Sequence, residues 1–227
     1  MIYKNLRKIK PAKVAILKSI SNDPEPPNSK IKAIKMAERV NILGNILIFE
    51  GQLCSSVQLL NRSIKYAHDY GEWLDEAKGL QHLGLAYRML GKSKEAIANY
   101  ELSTKLVESQ GERERQLLSN LRAFNLGVIG IIHRDMKEYE PALKYMMKSL
   151  EVNSSASNQM GQNINLGLVY KSLMQKVFEK DLWKLIDTSE YQKENIERDQ
   201  LYQKANDYFQ KALAIAKMNL LFMKARY

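Results

Sequence analysis

Three cations, Arg88, Arg134 and Lys171, each stand five residues beyond an aliphatic residue followed by glycine: Leu83-Gly84, Ile129-Gly130 and Leu166-Gly167. Fixed charges repeated in a fixed register suit recognition, because a ladder of guanidinium and ammonium groups pairs with carboxylates spaced along a partner. Nothing comparable supports catalysis. His68, His82 and His133 are isolated, with no Glu or Cys at metal-ligand spacing. The chain has no glycine-rich phosphate loop, no Gly-x-Ser-x-Gly elbow and no kinase signature. Its carboxylates lie three or four residues from lysines, as solvated surface pairs on helices do. The sequence therefore reads as a non-enzyme with no catalytic residue, no metal site and no cofactor.

The elements that must position the cations repeat along the chain. Leu43-Gly44 precedes Ser56, Leu60 and Ser63; at the same offsets Leu83-Gly84 precedes Ala96, Tyr100 and Ser103, and Ile129-Gly130 precedes Ala142, Met146 and Ser149. A fourth mark, Leu166-Gly167, finds its second half late, as Ala205, Phe209 and Ala212. The marks stand 40, 46 and 37 residues apart. Close packing explains the pattern: a glycine or serine at a helix crossing lets two backbones approach, and large apolar residues fill the grooves beside it. Gly51, Gly71, Gly91 and Gly111 fall about twenty residues apart, where helix C-termini are expected.

The stretch Leu80-Gln81-His82-Leu83-Gly84-Leu85-Ala86-Tyr87, with Ala96, Tyr100 and Ser103 after it, resembles the tetratricopeptide repeat, a helix-turn-helix unit. The long spacing resembles that of the kinesin light chains and of bacterial peptide-sensing regulators of the Rap type. The resemblance implies an all-α, right-handed superhelical solenoid of about four units, which docks proteins rather than transforming small molecules. The expected organisation is a basic N-terminal helix over 1–22 and an array over 28–227. Its units cover about 34–70, 74–110, 113–153 and 158–217, with a helical-hairpin insertion at about 174–200.

The resemblance also implies that the first helix of each unit lines a concave groove. Arg88, Arg134 and Lys171 then form a ladder along its wall, with equivalent sites on the order of 10 Å apart. An extended acidic peptide, at roughly 3.3 Å per residue, meets one charge at about every third residue. Asn41, Asn45, Gln81, His82 and Asn165 face the same groove and can bond a peptide main chain. Phe124, Val128 and Ile131 make its middle apolar and invite a hydrophobic anchor. The clamp that repeats of this family use for acidic C-terminal tails is not reproduced. Asn45 fits it, but Asn41 and His82 replace a lysine and an asparagine, and Phe124 and Val128 replace the required cations.

Composition bounds the rest. The net charge is +10 and the hydrophobic content 45%, enough for a core, and Cys54 is the one cysteine, which points to a reducing, cytoplasmic setting. No run of 18 or more apolar residues is present, so no membrane span is expected, and the N-terminus lacks the apolar core of a secretory signal. Residues 1–20 carry six Lys or Arg and no acid. That arm supports an alternative reading, a nucleic-acid-associated regulator, although only Tyr3 is available there for base stacking. The apolar stretch 215–223 supports another, a structural subunit that self-associates or belongs to a longer chain. In the insertion, Asp187-Thr188-Ser189-Glu190 reads as a helix stop and restart, and Trp183 is the expected anchor of a second contact surface. The expected partner is a protein with an acidic, extended segment, not a small-molecule substrate.

Overall fold

A computed structural model describes the backbone at 2–22, 29–152, 155–181 and 188–224, and the side chains at 10–22, 29–152, 155–175 and 196–218. Trp183 lies outside the described residues, as do the side chains of most of the expected insertion. Among the described residues every regular element is an α-helix. The chain divides into two compact units, 1–115 and 116–227.

The first unit contains α1 (Ile2–Ser21), α2 (Lys30–Phe49), α3 (Leu53–Asp69), α4 (Trp73–Met89) and α5 (Ser93–Glu108). Here α3 packs on both α2 and α4, α5 packs on α4, and α2 also lies against α4. Ile48, Leu60, Leu83 and Ala86 form a buried cluster, with Leu53, Val57, Ile64 and Tyr87 around it. A short helix, α6 (Glu112–Leu117), spans the division. The second unit contains α7 (Ser119–Asp135), α8 (Tyr139–Glu151), α9 (Ala156–Asp181) and α10 (Thr188–Lys224). In it α8 packs on α7 and α9, α10 packs along α9, and α7 meets α9 directly. Ala142, Met146, Leu166 and Val169 make its core cluster.

The recurring glycines do what close packing requires. A methyl group at Gly44 would stand 2.7 Å from Leu60 Cγ, one at Gly84 3.0 Å from the Tyr100 ring, and one at Gly130 2.6 Å from Met146 Cγ. At Gly167 it would stand 2.6 Å from the ring of Phe209, the residue that the sequence register pairs with it across the long fourth unit. Each glycine therefore seats the large side chain of its own hairpin partner, a helix-to-helix distance that alanine would widen.

A second repeated contact fixes each hairpin. Ser63 Oγ donates to the Ala37 carbonyl at 2.7 Å, Ser103 Oγ to Ala77 at 2.7 Å and Ser149 Oγ to Ala123 at 2.6 Å. All six residues are buried and each bond spans 26 residues, so the hydroxyl ties the second half of the second helix to the first half of the first. The hairpin turns share one geometry as well. Gly51, Gly71 and Gly91 take φ of +75°, +72° and +75°, the left-handed conformation glycine adopts without steric cost. Lys137 holds the place of Gly51 and Gly91 in the α7–α8 turn with φ +63°. The bond from Glu138 N to His133 O, 2.9 Å, matches Gln52 N to Leu47 O and Lys92 N to Tyr87 O. Gly111, expected to punctuate α5 in the same way, is not among the left-handed residues.

Candidate functional site

Within each unit the first helices of consecutive repeats lie side by side, α2 beside α4 and α7 beside α9. These paired faces hold the residues that the sequence nominates for partner binding.

On the α2–α4 face, Asn41 and His82 are engaged with each other: His82 Nδ1 donates to Asn41 Oδ1 at 2.7 Å. Asn41 is buried, and burial, assisted by the Lys78 ammonium, lowers the His82 pKa to about 4. The imidazole is thus neutral near pH 7, with its Nδ1 proton committed to the amide. Asn45 and Gln81 are half-buried. Arg88 is half-buried near Tyr100; burial drives the phenol's pKa up, and the guanidinium partly opposes that rise. Ile42, Phe49 and Met89 are exposed on the same helices.

On the α7–α9 face, Arg134 bridges the two helices. Its Nη1 donates to Asn165 Oδ1 at 3.3 Å, while its Nε and Nη2 donate to Asp135 Oδ1 at 3.2 and 2.8 Å. Asp135 therefore offsets much of the Arg134 charge. Lys171, three residues beyond Leu168 and seven beyond Ile164, is exposed. The expected apolar triad divides. Phe124 is 40% exposed, Val128 only 6% exposed, and Ile131 packs against the Ala142–Met146–Leu166–Val169 cluster. Val128 and Ile131 are thus committed to the interior of their unit, and the apolar surface comes from Phe124 with Ile164 (39%) and Leu168 (37%) of α9.

Sequence reasoning missed Ile42, Phe49, Met89, Ile164 and Leu168 because an apolar residue in an amphipathic helix reads as core. A signal was present in the spacing: Phe49 and Met89 stand six residues beyond their aliphatic-glycine marks, next to the register of Arg88, and Ile164 and Leu168 stand seven and three residues before Lys171. Among the described residues no group of three or more His, Cys, Asp or Glu side chains is placed to hold a metal ion. No described helix is long and apolar enough to cross a membrane.

Comparison with known proteins agrees with this geometry. The tetratricopeptide repeat family's model matches residues 77–108 and 125–155. Search of curated protein sequences finds no match. Among solved structures, nearly identical repeats of a kinesin light chain-like protein from Podosopora anserina superpose with a TM-score of 0.61 at 11% identity, over 96% of this chain and 91% of that one. The apo form of RapI gives 0.58 at 13% identity, covering 95% and 80% of the two chains. BtubC from P. vanneervenii gives 0.54 at 18% identity, covering 100% and 92%. At these identities the likeness concerns the fold. Residues 77–108 and 125–155 thus match the tetratricopeptide repeat, and the seated glycines and paired helices show the same helix-turn-helix packing through α2–α5 and α7–α10.

Proposed function

We propose that this protein is a docking scaffold whose first-helix faces hold an extended, acidic segment of a partner protein, with apolar side chains of that segment seated among the cations. The observation that carries the reading is the α7–α9 face. Ile164 and Leu168 expose apolar surface two turns and one turn before Lys171 on α9, Phe124 exposes more on α7, and the Arg134–Asn165 contact fixes polar groups between the two helices. No acid occurs from 156 to 178, so Lys171 meets an incoming carboxylate with no anion within seven residues of it along α9. Asp135 leaves Arg134 suited to a main-chain carbonyl more than to a second carboxylate. Arg88 holds the equivalent register in the first unit.

An exposed single cysteine, Cys54, suits a reducing cytoplasm, and the same reading places the protein there. The test compares partner capture by wild type and by Arg88→Glu/Arg134→Glu/Lys171→Glu, with circular dichroism confirming that the variant folds. Partners held by wild type are expected to bind the variant on the order of tenfold or more weakly. Retention of the same partners at equal strength would move the function away from these faces.

A further inference from the structure

Helix α1 presents two different faces. Toward α2 it is fastened by Lys13 Nζ, 2.5 Å from Glu50 Oε2, and by Arg39 Nη1, which donates to the Ser19 carbonyl at 3.3 Å. Ile16 and Ile20, three and seven residues beyond Lys13, are half-buried. The opposite stripe faces solvent: Lys10, Val14, Leu17 and Lys18 are exposed, Val14 at 65% and Leu17 at 45%. Residues 1–20 carry no acid, so nothing on the helix offsets those lysines, and Glu50, just beyond α2, is taken up by Lys13.

We infer that the outward face of α1 rests on an anionic lipid surface, with Val14 and Leu17 entering the boundary between headgroups and acyl chains and Lys10 and Lys18 meeting lipid phosphates. Apolar residues flanked by lysines on one exposed helical stripe match what an interfacial helix needs: area to bury and cations for the headgroups. The contact is peripheral, since no described helix can cross a bilayer. One short helix also binds weakly enough to be reversible. Two other occupants fit the face less well. A second copy in two-fold contact would set lysine against lysine. Nucleic acid would use the lysines and leave Val14 and Leu17 wet, and no aromatic residue stands in the described side chains of α1 to stack on a base. The inference does not depend on the groove reading, because it uses neither first-helix face.

Flotation of the full chain with vesicles tests it. Wild type is expected to float with phosphatidylcholine vesicles containing phosphatidylglycerol, not with phosphatidylcholine alone, and to be released by salt. Val14→Glu/Leu17→Glu and Lys10→Glu/Lys18→Glu are each expected to weaken flotation about tenfold or more. Both pairs are exposed, so circular dichroism should show unchanged helix content. Failure of wild type to float, or equal flotation of the folded apolar variant, overturns the inference. So does retention on mixed-sequence duplex DNA without binding to vesicles, which would make the arm a nucleic-acid contact.

Discussion

His82 Nδ1 donates to Asn41 Oδ1 at 2.7 Å, joining α4 to α2 across 41 residues of sequence. The histidine's pKa falls from 6.5 to about 4, first because it is buried and then because of Lys78. Between those values the unfolded chain binds a proton that the folded chain refuses, so stability falls as pH drops from about 6.5 toward 4 and is level again below it. The loss is on the order of 3 kcal/mol. Urea titrations across that range should show the midpoint falling with acid, and His82→Gln should flatten the part of the slope that this residue supplies.

The glycines differ in what they tolerate. An alanine methyl at Gly130 would meet Met146 Cγ at 2.6 Å and the Ala142 carbonyl oxygen at 3.0 Å, and a backbone atom cannot turn aside. Gly130→Ala should destabilise by about 1–3 kcal/mol. At Gly161, inside α9, nothing lies within 4 Å of such a methyl, and Gly161→Ala should stabilise by about 0.5–1 kcal/mol. Denaturation midpoints of the two variants should move in opposite directions.

Lys137 carries a backbone conformation that its sister turns give to glycine. Lys137→Gly should raise stability by about 0.5–1 kcal/mol, since the relief of left-handed strain exceeds the entropy glycine adds to the unfolded chain. Thermal unfolding would register the gain, and Gly91→Lys, the reverse change at the equivalent position, should lose a similar amount.

Ser103 Oγ and the Ala77 carbonyl form a buried bond at 2.7 Å. Ser103→Ala should cost about 1 kcal/mol. Ser109→Ala, which removes an exposed bond to Leu106 O, should stay within about 0.5 kcal/mol by chemical denaturation.

The repeat architecture was legible because close approach of helices dictates residue type at fixed spacing. Gly44, Gly84, Gly130 and Gly167 could be matched to Leu60, Tyr100, Met146 and Phe209 without coordinates, even across the longer fourth unit. The small residue at the Ser63, Ser103 and Ser149 position was equally visible, but its hydroxyl bond was not, since smallness alone explains a serine there. The binding faces were only half legible. Spacing put Asn41 and His82 on first helices; that they would satisfy each other depends on the offset between α2 and α4, which no local pattern encodes. Val128 shows the same gap from the other side: its register nominates it for a groove, and packing around it buries it. Ile164 and Leu168 went unmarked because hydrophobicity says that a residue prefers burial, not whether a neighbour is there to provide it.

The most direct measurement of the central claim is selection of peptides from a random display library on the immobilised full chain. Chosen peptides are then titrated by fluorescence polarisation against wild type and against Leu168→Asp/Lys171→Glu. The account predicts enrichment of segments that combine apolar residues with Asp or Glu, and affinities at least about tenfold weaker for the folded variant. Enrichment of basic or purely polar peptides, or equal affinity for the variant, would contradict it.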